Sequence, residues 1–174
     1  MTSLTDKARN VRLMAFDIDG VMTDGRLYFS PNGDEMKTFF SRDGLGLKML
    51  AKSGVKLAII TGRDSPIVTR RAENLGIDLV MQGIEDKRTA MTELLERAGL
   101  DFAHTGYMGD DVVDLGVMAA CGFSATVPDC HASVRQIADY VSCATAGAGA
   151  VRDVCEFLLQ AQGNWEKTLA AYRS

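Results

Sequence analysis

A single α/β domain built on a doubly wound, Rossmann-like parallel sheet is what this sequence predicts. Three observations carry it: strand-length apolar runs alternate with segments of helical period, glycines stand at the ends of those segments, and aspartates cluster where two of the runs finish.

The apolar runs are Val11–Phe16, Val55–Ile60, Leu79–Met81, Thr105–Met108 and Gly122–Val127. Between them lie Leu45–Ala51, Ile67–Leu75, Arg88–Ala98, Val112–Ala119 and Val134–Ala138, with apolar residues three or four apart, and Gly54, Gly76, Gly99 and Gly122 placed as helix stops. Such alternation makes parallel strands joined by right-handed helical crossovers, and ligands of these open sheets bind at the carboxyl ends of the strands. One segment breaks the rhythm. Arg26–Ser30 and Glu35–Ser41 alternate with a period of two around Ser30-Pro31-Asn32-Gly33-Asp34, which predicts a hairpin lid over residues 25–41, set directly after the first strand. A helix is expected over Ala150–Gln162 and a weaker tail over 163–174, all within one domain, 1–174.

The 174 residues suffice for one buried core without disulfide staples. With 47% hydrophobic and 24% charged residues the composition is that of a soluble globular protein. Net charge is −4 and the basic residues are dispersed, so no basic stripe exists to neutralise a nucleic-acid backbone. Cys121, Cys130, Cys143 and Cys155 form no CxxC pair and read as free thiols. The apolar stretches are too short to span a membrane, and residues 1–10 lack the apolar core of a signal peptide. A cytoplasmic protein without nucleic-acid or membrane partners is expected.

Asp17 and Asp19 follow the first run and precede Gly20; residues two apart on extended chain point to one side. Paired carboxylates at a sheet end are costly unless a cation neutralises them, and all-oxygen ligation suits Mg²⁺, with Mn²⁺ and Co²⁺ also compatible. Further polar residues fall at the ends of later elements: Thr61-Gly62-Arg63, Lys87, and Gly109-Asp110-Asp111 with Asp114. Singly, each has a structural alternative: Thr61 or the aspartates as helix caps, Lys87 as a solvated helix lysine. Together they supply donors, a cation and metal ligands for a phosphoryl group. His104, His131 and Trp165 have no partner pattern and read as structural or surface residues.

These four motifs in this order resemble the haloacid-dehalogenase-like phosphatase superfamily, over nearly the whole chain. The resemblance implies that Asp17 is a nucleophile forming an aspartyl phosphate, Asp19 the acid and base, and Thr61 and Lys87 the phosphate anchors. It further implies Mg²⁺ held by Asp17, the backbone carbonyl of Asp19 and Asp110, with Asp111 and Asp114 supporting. A lid of one hairpin marks the minimal-cap subclass and leaves a cleft for a neighbouring subunit to close, which implies a homo-oligomer, a tetramer by resemblance.

A narrower resemblance rests on Phe40-Ser41-Arg42-Asp43-Gly44 with Lys48, on Thr61-Gly62-Arg63 with Arg71, and on Gly149-Ala150-Val151-Arg152-Asp153-Val154-Cys155. It is to the family acting on 3-deoxy-D-manno-octulosonate 8-phosphate in lipopolysaccharide precursor synthesis. It implies a sugar-acid pocket made of Asp19, Phe40, Ser41, Arg42, Asp43, Gly44, Lys48, Gly62, Arg63, Arg71 and Lys87. Arginine forks suit the carboxylate of such a substrate. Two alternatives stay open: a nine-carbon 2-keto sugar acid 9-phosphate as substrate, and a phospho-accepting receiver domain that signals rather than catalyses.

Overall fold

The computed structural model describes residues 2–173; the ends of the expected domain and tail, Met1 and Ser174, lie outside the described residues. In chain order the elements are α1 (Leu4–Asn10), β1 (Leu13–Phe16), β2 (Tyr28–Phe29), β3 (Glu35–Met36), α2 (Ser41–Lys52), β4 (Lys56–Ile60), α3 (Pro66–Leu75) and β5 (Leu79–Met81). They continue with α4 (Lys87–Ala98), β6 (Thr105–Met108), α5 (Leu115–Ala120), β7 (Phe123–Thr126), α6 (Ala132–Ile137), β8 (Tyr140–Val141), α7 (Ala150–Ala161) and α8 (Trp165–Ala170).

Six strands form one parallel sheet in the order β5-β4-β1-β6-β7-β8, while β2 and β3 pair antiparallel outside it. The strand order reverses beside β1, which lies at the centre with Phe16 level with Ile59 of β4 and Met108 of β6. All four β1 residues are buried, as a strand covered on both faces requires. Its side chains alternate between two cores. Met14 and Phe16 face the layer with Leu47 and Leu50 of α2, Val68 of α3, and Val151 and Leu158 of α7. Leu13 and Ala15 face Met91 and Leu94 of α4, Val117 of α5 and Val134 of α6.

The helix boundaries have local causes. Pro66 opens α3, where its missing N–H costs nothing, and Asp86 caps α4 by accepting from Arg88 N and Thr89 N, each at 3.1 Å. Gly76 and Gly99 close α3 and α4 in the left-handed region.

Four sequence expectations are corrected. The hairpin has only two residues in each strand, and Ser41 starts α2 rather than ending the lid, so Arg42, Asp43 and Gly44 lie in a helical first turn. Helix α1 was not expected; Ser3 caps it, its hydroxyl accepting from Asp6 N at 3.1 Å. Strand β8 extends the sheet by a sixth member too short to produce a periodic signal. The tail contains a helix, α8, with Trp165 packed against the core.

All four cysteines are free thiols, and burial pushes Cys121 up to about 12. Among the described residues no helix is long and apolar enough to cross a membrane.

Candidate active site

At the carboxyl end of β1 the chain cannot continue as strand, and Asp17 turns it out of the sheet. Its N–H still bonds Met108 O at 3.0 Å, while its Oδ1 accepts from Ile18 N at 2.7 Å. Gly20 completes the turn at φ +86°, and a Cβ there would overlap the Asp110 carboxylate. Glycine is required on both counts. Beside β1, Thr61 leaves β4 and Asp110 leaves β6, so three adjacent strands deliver polar groups to one place.

The cleft they line has a volume of about 550 Å³, and Asp17, Asp19, Gly20, Thr61, Gly62, Arg63, Glu85, Lys87, Asp110 and Asp111 are among its lining residues. Lys87, first residue of α4, is buried, with Nζ 2.7 Å from Asp17 Oδ2 and 2.7 Å from Asp114 Oδ1. Burial works against its charge, but the two carboxylates outweigh it and raise its pKa.

Asp114 is wholly buried. Its Oδ1 also accepts from the Tyr107 hydroxyl at 2.9 Å, and its Oδ2 accepts from Asp110 N and Asp111 N at 3.0 and 3.2 Å. Asp110 is further fixed by its carbonyl, which accepts from His131 N at 2.8 Å. Burial raises the Asp17 carboxyl to about 6 against the pull of Lys87, with Asp114 adding to the rise. Burial and then repulsion from Asp17, Asp114 and Asp111 raise Asp110 to about 7. These carboxylates are short of positive charge.

That shortage fits a hard divalent cation. Asp17, Asp110 and Asp114 each place an oxygen within 4.8 Å of the others, and Asp110 Oδ1 is buried with no hydrogen-bond partner. Asp114 is the weakest candidate ligand of the three, because each of its oxygens already takes two hydrogen-bond donors, whereas each Asp17 oxygen takes one. Asp17 and Asp110 keep free lone pairs, and oxygen donors of this kind suit Mg²⁺.

Asp19 sits on the hairpin side of the cleft. Its Oδ1 takes the Lys37 ammonium at 2.5 Å and the Thr23 hydroxyl at 3.4 Å, while Arg63 Nε stands 3.8 Å from Oδ2. Arg63 also bonds Glu35 Oε1 at 3.1 Å.

The structure therefore gathers Asp17, Asp19, Thr61, Gly62, Arg63, Lys87, Asp110 and Asp111 around one cleft, with Asp114 beneath it. It does not bring Phe40, Ser41, Arg42, Asp43, Gly44, Lys48 or Arg71 there. Ser41, Arg42 and Lys48 are exposed on α2. Asp43 is buried against the start of α7, accepting from Arg152 N at 2.8 Å, and Arg71 packs on Gly44 with its guanidinium 5.2 Å from the Phe39 ring. Sequence reasoning did not single out Lys37, Glu35 or Tyr107. The two-residue alternation of Glu35, Met36 and Lys37 was the available signal, since it turns both charged residues to one face.

The haloacid dehalogenase-like hydrolase family model matches residues 71–154. The chain is 43% identical over 160 residues to the 3-deoxy-D-manno-octulosonate 8-phosphate phosphatase of Haemophilus influenzae, covering 92% of this chain and 89% of that protein. To the Escherichia coli K12 enzyme of the same name it is 42% identical, covering 92% and 86%. The solved 3-deoxy-D-manno-octulosonate 8-phosphate phosphatase of Moraxella catarrhalis, in complex with magnesium, phosphate and 3-deoxy-D-manno-octulosonate, superposes with a TM-score of 0.96 at 43% identity, covering 97% of each chain. The cobalt-bound Haemophilus influenzae structure gives 0.90 at 41%, covering 94% of this chain and 99% of that one.

Proposed function

Because this chain belongs to the 3-deoxy-D-manno-octulosonate 8-phosphate phosphatase family of the haloacid dehalogenase-like hydrolases, we propose that it hydrolyses that ester to 3-deoxy-D-manno-octulosonate and phosphate, a step of lipopolysaccharide precursor synthesis. The observation that carries the reading is the placement of Asp17 at the central strand end, buried, 2.7 Å from Lys87, with Asp19 beside it in the same cleft.

In the first half-reaction an Asp17 oxygen bonds phosphorus and the bond from phosphorus to the sugar oxygen breaks, while Asp19 gives its proton to the departing alkoxide. In the second, Asp19 takes a proton from water, whose oxygen attacks the aspartyl phosphate and releases Asp17. The Thr61 hydroxyl and Gly62 N–H donate to phosphoryl oxygens, and Lys87 offsets their charge. Asp17, Asp110 and the Asp19 carbonyl would hold Mg²⁺. When bound, the ion supplies the positive charge that lets a phosphate dianion approach buried carboxylates. Asp114 orients Lys87 and the Asp110 backbone, and Asp111 caps the turn that holds it.

At the sugar end Arg63 is the cleft's own guanidinium. The segment carrying Phe40, Ser41, Arg42, Asp43, Gly44 and Lys48, with Arg71, serves a sugar acid only when it meets the cleft of another subunit, which favours a homo-oligomer; the number four rests on family resemblance alone. Four free thiols favour a cytoplasmic setting. Asp17 and Asp19 leave one strand and Lys87 opens a helix, an arrangement that favours hydrolysis over a receiver role.

The test is phosphate release with Mg²⁺ from the eight-carbon 8-phosphate, a nine-carbon 9-phosphate and a generic sugar phosphate, for the native chain and Asp17→Asn. Preference for the first ester, lost with EDTA and in the variant, is the expected result. Preference for the second overturns the substrate; turnover of none overturns the phosphatase.

A further inference from the structure

A two-residue by two-residue hairpin cannot hold its own place in water. Its two faces carry Phe29 and Met36, 60% and 58% exposed, so neither is covered by an apolar core. Charge fixes it instead. The Lys37 side chain is 1% exposed, and its ammonium lies 2.5 Å from Asp19 Oδ1 and 3.2 Å from Glu35 Oε1. Arg63 clamps the same Glu35 oxygen at 3.1 Å. A buried ammonium is costly without partners, so Lys37 cannot leave these carboxylates while the hairpin stays seated.

The consequence falls on Asp19. One oxygen is taken by Lys37 and Thr23, whereas Oδ2 is buried, without a hydrogen-bond partner and with Arg63 Nε 3.8 Å away. Lys37 itself is not among the residues that line the cleft and reaches it only through Asp19. We propose that Lys37 is a positioning residue for the acid–base step, its ammonium tying Asp19 Oδ1 to the hairpin and thereby fixing the carboxyl that protonates the departing oxygen. The proposal rests on the phosphatase reading above. In the step concerned, the proton of the Asp19 carboxyl passes to the alkoxide as the phosphorus–oxygen bond breaks and its electron pair stays on oxygen; Lys37 neither gives nor takes a proton. Seating the hairpin and aiming the acid become one event.

Leaving-group chemistry tests this directly. A sugar alkoxide needs a proton to depart, and 4-nitrophenolate does not. The ratio of kcat/KM for the octulosonate ester to kcat/KM for 4-nitrophenyl phosphate is therefore measured in native protein, Lys37→Met, Lys37→Gln and Lys37→Arg. Being a ratio within one preparation, it is independent of the fraction correctly folded. The expected result is a fall of at least about tenfold in the Met and Gln variants, within the range for acid–base catalysis, and partial recovery with Arg. Equal losses on both esters, or no loss, would overturn the proposal. On the sugar ester alone, adding Lys37→Met to Asp19→Asn is expected to change nothing further; a second full loss would show that Lys37 acts elsewhere. Failure of native protein to turn over either ester defeats the phosphatase reading instead, and is seen before any variant is compared.

Discussion

The Lys87 ammonium stands 2.7 Å from Asp17 and 2.7 Å from Asp114, joining the proposed nucleophile to a carboxylate that never meets solvent. Removing it leaves uncompensated buried charge. Lys87→Met is expected to lose roughly 3–5 kcal/mol of stability at neutral pH and nearly all activity. The stability loss should shrink as pH falls and the carboxyls protonate. Urea unfolding at two pH values checks both parts.

Asp17 and Asp110 titrate at about 6 and about 7, above the ordinary 3.8. The folded chain therefore holds protons that the unfolded chain has released, and stability falls as pH rises from roughly 4 to 7. A cation on the ionised carboxylates reverses this. Melting curves of EDTA-treated protein should drop across that interval, and Mg²⁺ should raise the melting temperature more at pH 7.5 than at pH 5. A Mg²⁺ effect independent of pH would contradict the assignment of these two residues as ligands.

Gly20 has a positive φ and faces the Asp110 carboxylate without room for a Cβ. Gly20→Ala should lower stability by about 1–2 kcal/mol from backbone strain alone and displace Asp110. Weaker Mg²⁺ binding by calorimetry, together with a lowered kcat, is the expected outcome.

Arg63 is partly exposed, so its ion pairs with Glu35 and Asp19 contribute under about 1 kcal/mol to folding. A charge-assisted bond to a substrate carboxylate is worth roughly 1.5–3 kcal/mol. Arg63→Ala should thus leave the urea midpoint almost unmoved while raising KM for the sugar acid ester at least about tenfold. Loss on an ester without a carboxylate should be much smaller.

The sheet was legible because each of its five strands of three or more residues is an apolar run next to a helical segment, and the cleft was legible because polar residues follow β1, β4 and β6. Tyr140–Val141 escaped because two residues carry no period. Ser41 was placed in the hairpin because Gly44 and Gly46 weaken the helical signal of α2; the structure shows why they are there, since side chains at those positions would press on Arg71 and Arg152. Lys37 was invisible for a different reason. An alternating lysine looks solvated until the fold supplies Asp19 as its partner.

The central position of β1 also governs when the cleft can come into being. Leu13 pairs with Lys56 on one side and with Thr105 on the other, so the strand that ends in Asp17 is held by partners far along the chain. Such long-range pairing slows folding. During synthesis β1 must wait for both neighbours, and Asp110 for His131 beyond them. A nascent or nicked chain therefore carries the aspartates without the arrangement that makes them reactive, and hydrolytic competence arrives only with the nearly finished molecule.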